Sequence, residues 1–147
     1  MEILYMSLRC LLIRKILSTL VLLCVLVPNS GLSQSLHDGI YTQSQASRGE
    51  TEYTARCASC HSADLRGNSN SPSLIGLSFM FIWEGRSLGE LYSKMSTEMP
   101  TDQPGGLSQQ SYAAILAFIL QSNEFPAGGN ELSSNADSLS TIQITSQ

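Results

Sequence analysis

The sequence predicts an all-α domain of three main helices joined by long loops, and three observations carry that reading. Two helix-opening boxes stand well apart, T-x-x-Q at Thr42 and Gln45 and S-x-x-E at Ser87 and Glu90. A third start signal, Ser108, precedes a segment whose apolar residues recur every three or four positions. Each signal is followed by a stripe of helical period, so each opens a helix.

The first helix is expected over Gln43 to Cys57, with Ala46, Gly49, Tyr53 and Cys57 on its inward face. Gly49 costs about 1 kcal/mol against alanine in a helix interior, so its presence there predicts another helix crossing very close. The second runs over Leu88 to Thr97, with a stripe of Leu88, Leu91, Tyr92 and Met95. The third covers Gln109 to Gln121. Tyr112, Ile115, Leu116, Ile119 and Leu120 form its apolar face, with Phe118 beside them. The first and last helices are expected to cross at Gly49. Residues 131–147, rich in Ser, Thr, Asn and Gln, read as a disordered tail.

A chain of 147 residues holds one small domain, and its charge is unevenly placed. Beyond Gln34, five basic residues face eleven acidic ones, a net of −6, which excludes a nucleic-acid binder. The front carries Arg9, Arg14 and Lys15, the apolar run Ile16 to Val27, a breaker at Pro28, and small residues at Gly31 and Ser33. That pattern is an export signal, residues 1–33, with cleavage expected after Ser33 and a periplasmic destination. An uncleaved leader tethering the protein to the membrane is the alternative. It is disfavoured because the twelve residues between Lys15 and Pro28 fall short of the roughly 20 that a helical span needs. No stable membrane insertion is expected after cleavage. Residues 34–130 form the functional domain.

Outside the leader only Cys57 and Cys60 remain, with His61 directly after them. A disulfide across so short a loop removes little unfolded-state entropy and is a poor staple. Zinc needs four ligands, and the only other histidine is the distant His37. A thioredoxin-like dithiol wants a strand leading into it, whereas a helix precedes Cys57. The five residues C-A-S-C-H fit covalent haem attachment. Two thiols one helical turn apart can add to neighbouring vinyl groups of one porphyrin, and the next imidazole reaches the iron.

From Asp38 to Asn130 the chain resembles a class I c-type cytochrome, and it is similar to the small domains associated with bacterial quinoprotein dehydrogenases. The residues that carry the likeness are Gly49 and Tyr53, C-A-S-C-H, Pro72, Leu74, Met99-Pro100, and Ile115 with Phe118. The runs Phe81 to Ser87 and Asn123 to Gly128 add weaker signals for the subgroup. The resemblance implies a class I cytochrome c fold around one haem c bonded to Cys57 and Cys60. It implies that Gly49 and Tyr53 pack on Ile115 and Phe118, that the Pro72 carbonyl accepts the second ring proton of His61, and that Met99 ligates the iron.

Position alone also favours Met99 among the three methionines beyond the leader. Met95 lies on a helical stripe, and Met80 lies inside an apolar run, both places where methionine fills core. Met99 follows a helix and precedes a proline, which forces extended backbone on a loop. Trp83 is expected at the cofactor, offering its indole N–H to a propionate, with core packing as the even alternative; Arg86 reads as a solvated charge at a helix start. His37 reads as solvated.

Iron held by His61 and Met99 has no open position, so the expected function is one-electron transfer rather than catalysis. The expected donor is a periplasmic dehydrogenase, and the acceptor an oxidase or another cytochrome. The alternative is a haem enzyme or gas-binding sensor with an open distal site, which needs a distal polar constellation that the sequence does not display.

Overall fold

The computed structural model describes residues 34–146. The expected export segment, residues 1–33, lies outside the described residues, as does Gln147. Among the described residues, six α-helices follow a 3-10 turn at Leu36–Asp38: α1 Gln43–Arg56, α2 Ala58–His61, α3 Gly76–Trp83, α4 Leu88–Glu98, α5 Gln109–Ser122 and α6 Ala136–Leu139. Among the described residues no β-strand forms, only two isolated bridges, so the all-α class is observed.

The three expected helices are α1, α4 and α5. Each opens on its expected cap: Thr42 accepts from the Gln45 N–H, Ser87 from Glu90, and Ser108 from Ser111. At Ser87 the box is reciprocal, since Glu90 also accepts from the Ser87 N–H at 3.0 Å. At Thr42 only half of it forms, because the Gln45 side chain turns inward.

Helices α1 and α5 make the centre of the fold. A Cβ built on Gly49 would lie 1.8 Å from the Ala114 carbonyl oxygen and 2.4 Å from its carbon. Only glycine lets the two backbones meet this closely. One turn further along α1, Tyr53 packs on Phe118 of α5 with ring centroids 5.4 Å apart. The α5 face from Tyr112 to Leu120 is buried at every position but Phe118, which is half-buried.

Helix α3 departs from the expected loop. Its apolar run has no helical stripe to read, yet it turns Phe79 and Trp83 into the core and leaves Leu77 and Phe81 about nine-tenths exposed.

The tail is the second departure, and it corrects the expectation of disorder over residues 131–147. Leu132, Leu139, Ile142 and Ile144 are all buried in the same core as α1 and α5. The chain returns antiparallel to residues 84–88. Ile144 accepts from the Gly85 N–H at 2.8 Å and donates to the Arg86 carbonyl at 2.9 Å, and the Ile142 carbonyl accepts from Leu88 at 2.8 Å. At Gly89 the α6 backbone comes so close that a Cβ would stand 2.6 Å from the Ala136 carbonyl oxygen. Four apolar anchors scattered among polar residues suffice to order this segment, because each buries its apolar surface in the shared core.

Candidate haem site

Cys57 ends α1 and opens the one-turn helix α2, whose backbone closes through Cys60 and His61 N–H groups donating to the Cys57 carbonyl at 3.1 and 2.9 Å. Cys57, Cys60 and His61 therefore share one turn. Neither cysteine is in a disulfide. Cys57 is half-buried, and that burial pushes its thiol up to about 11, with neighbouring Arg56 pulling the other way and Cys60 and Glu52 adding to the rise. A thiol so hard to ionise is unlike the low-pKa nucleophile of a dithiol oxidoreductase. Among the described residues, no three His, Cys, Asp or Glu side chains gather as a metal cluster.

His61 is oriented by the loop that follows it. Its Nδ1 lies 3.0 Å from the Pro72 carbonyl oxygen. A carbonyl only accepts, so Nδ1 carries the proton and Nε2 presents its lone pair. Nε2 makes no hydrogen bond to any described residue. This is the arrangement in which a histidine is held ready to ligate a metal, its second nitrogen fixed by a backbone carbonyl.

The loop is tied back on itself at several points. The Gly67 N–H donates to the His61 carbonyl at 2.9 Å, and a Cβ on Gly67 would stand 2.3 Å from the Ser71 carbonyl oxygen. With φ at +69°, Gly67 also needs the left-handed region. Asn68, which the sequence reading did not single out, donates from Nδ2 to the Cys60 carbonyl at 2.7 Å and accepts from the Asn70 N–H at 2.8 Å. The Gly-Asn-Ser-Asn run is a turn signal that could have found it. Above the turn, the Tyr53 hydroxyl donates to the Ser62 carbonyl at 2.6 Å, tying α1 to the residue after His61. Burial, with smaller contributions from Cys57 and Asp64, pushes that hydroxyl up to about 12.

Met99 caps α4 in extended backbone, φ −120° and ψ 151°. Its position is set through the main chain. The N–H donates to Met95 at 3.1 Å, and the carbonyl accepts from the Tyr112 hydroxyl at 2.6 Å. Its side chain is half-buried, as are those of Met80 and Met95. Trp83 is only 6% exposed and belongs to the core, with the Arg86 guanidinium 4.4 Å over its ring. Arg86 also reaches Glu90. His37 is exposed, its ring 5.5 Å from that of Phe125.

An all-α fold with a C-A-S-C-H turn, its histidine oriented by a proline carbonyl, defines a c-type cytochrome domain. Residues 44–119, just over half of the chain, match the family model described as cytochrome c oxidase, cbb3-type, subunit III, and the chain belongs to that family. No curated protein and no solved structure matches it. Membership implies covalently bound haem c, electron transfer rather than substrate turnover, and redox partners. The residues fit the group: two thiols free of disulfides stand one turn apart, beside an imidazole whose Nε2 is free to ligate.

Proposed function

We propose that this protein is an exported monohaem electron carrier whose haem is bonded to Cys57 and Cys60 and whose iron is held by His61 and Met99. The observation that carries the reading is the 3.0 Å approach of His61 Nδ1 to the Pro72 carbonyl, in the same turn as both thiols. When bound, the haem supplies a one-electron Fe(III)/Fe(II) couple. Pro72 fixes the tautomer and ring plane of His61, so Nε2 would be the atom that ligates the iron. Met99, on extended backbone whose carbonyl is held by the Tyr112 hydroxyl, would offer the iron a soft thioether, which favours its reduced state. Trp83, buried in the core, would offer its indole N–H to the haem.

The donor is a periplasmic dehydrogenase of the quinoprotein type, and the acceptor an oxidase or another cytochrome. Arg48, Arg56, Arg66 and Lys94 form no basic cluster in the sequence, so partner docking relies on modest charge steering. Among the described residues no helix is long and apolar enough to cross a membrane. The leader at residues 1–33 directs export and is removed.

The test is expression in a host that exports and matures c-type cytochromes, followed by intact mass and visible spectra. The expected product starts at Gln34, carries the mass of one haem, shows a sulfur-to-iron band when oxidised and does not bind carbon monoxide when reduced. A haem-free product, or tight carbon monoxide binding by the unmodified protein, overturns the reading.

A further inference from the structure

We infer that Asn123 is a positioning residue for the haem ligand His61, acting from the end of α5 through the loop that carries Pro72. The inference rests on the haem reading above. Every hydrogen-bonding group of the Asn123 side chain is engaged. Oδ1 accepts from the Gly76 N–H at 2.9 Å, while Nδ2 donates to the Leu74 carbonyl and to the Ile119 carbonyl, each at 2.9 Å. Only the amide nitrogen can serve two carbonyls and only the oxygen can take an N–H, so these contacts also fix the orientation of the amide.

The consequence lies in what those partners are. Gly76 is the first residue of α3, and Ile75 before it offers no side-chain cap, so Asn123 supplies from α5 the cap that the local sequence lacks. Leu74 is two residues past Pro72. Its N–H is held by the Leu65 carbonyl at 2.8 Å, and its own carbonyl is held by Asn123. The segment between Pro72 and α3 is thus pinned on one side to the turn after His61 and on the other to α5. Among the described residues, Asn123 is the one of these anchors that reaches the segment from the end of α5. The Pro72 carbonyl, which accepts the hydrogen bond from His61 Nδ1, sits at the head of that pinned segment.

Loss of the Asn123 amide leaves the Leu74 carbonyl and the Gly76 N–H to solvent and frees the segment to open locally. The His61 ring proton then meets water more often. The experiment uses the haem-loaded protein in its reduced state and measures solvent exchange of the His61 Nδ1 proton by NMR, together with the midpoint potential. Asn123→Ala is expected to raise the exchange rate about tenfold or more, the effect of losing hydrogen bonds of ordinary strength. It is also expected to raise the potential, because a less firmly hydrogen-bonded imidazole is a weaker donor to Fe(III). Tyr41→Phe is the control. It removes the 2.6 Å bond from the Tyr41 hydroxyl to the Phe125 carbonyl, just past α5, without touching the loop, so it is expected to lower thermal stability and leave both readouts alone.

Should Asn123→Ala fail to mature, Asn123→Asp keeps the acceptor for Gly76, loses the donor to Leu74, and is judged by the same rate. An exchange rate equal to that of the unsubstituted protein, or raised no more than in Tyr41→Phe, overturns the inference. A wild-type product without haem fails the haem reading instead, before any variant is compared.

Discussion

The side-chain amide of Gln45 pairs with the backbone of Leu132 as a neighbouring strand would: Oε1 accepts from its N–H at 2.7 Å and Nε2 donates to its carbonyl at 3.0 Å. Gln45 is 3% exposed, so both bonds are dry. Gln45→Ala strands two buried backbone groups, each costing about 1–3 kcal/mol. The expected result is a lower denaturant midpoint and faster protease cleavage between Leu132 and Ser146. A variant with wild-type stability and an uncut tail would show that water replaces the amide at no cost.

Gly49→Leu forces a side chain into the Ala114 backbone, where even a Cβ meets an oxygen at 1.8 Å. Backbone cannot rotate aside as a side chain can, so the loss is expected to exceed the ordinary overpacking range of about 1–3 kcal/mol. Haem attachment should persist in whatever fraction folds, since the thiols belong to a different turn. Thermal melting checks this, and an unchanged transition sinks the proposed contact.

Tyr53 makes the fold sensitive to alkali. Its folded value near 12 lies above its ordinary value of 10, raised first by burial. Up to pH 10 the neutral hydroxyl is kept in both states. As pH climbs from 10 to 12 the unfolded chain loses that proton while the folded one holds it, so stability falls by roughly 2 kcal/mol at most. Tyr53→Phe should cost about 1 kcal/mol at neutral pH through the lost bond to Ser62 and flatten this alkaline decline. Denaturant titrations at pH 8 and 11 measure it, and a decline as steep as the parent's would mean that other tyrosines dominate.

Met99→Ala removes the proposed thioether ligand. The reduced protein should then bind carbon monoxide, and its potential should fall. Met80→Ala and Met95→Ala are the controls. Both side chains are half-buried, so each should cost about 2 kcal/mol or less and leave the spectrum alone. If the native spectrum survives in Met99→Ala and is lost in one control, the ligand is that other methionine.

What could be read from the sequence was local. The hydroxyls of Thr42, Ser87 and Ser108 cap helices because each finds its N–H three residues on, and a three-residue signal is complete within its own stretch of chain. Gly49 was legible for a different reason: a glycine inside a helix has no local justification, so it pointed outward to a partner. Helix α3 was not legible, because its residues are apolar all round and its cap comes from Asn123, 47 positions away. The tail failed for the same reason on a larger scale. Gln45 looked like the second half of a capping box, and nothing near it reveals that its amide is reserved for Leu132. At the site, C-A-S-C-H stood out by spacing, whereas the role of Pro72 came with the family resemblance and that of Asn68 was missed.

The 87-residue separation between Gln45 and Leu132 also bears on the order in which the chain can be finished. As the polypeptide emerges from its N-terminal end, α1 and the C-A-S-C-H turn appear long before the segment that satisfies the Gln45 amide and fills the core with Leu139, Ile142 and Ile144. Until then α1 carries an unmatched polar group on its inward side, and the two thiols sit in a chain that has not yet closed. A late-arriving clasp of this kind leaves a window during biogenesis in which a bulky group can be fastened to Cys57 and Cys60 before the fold shuts around it.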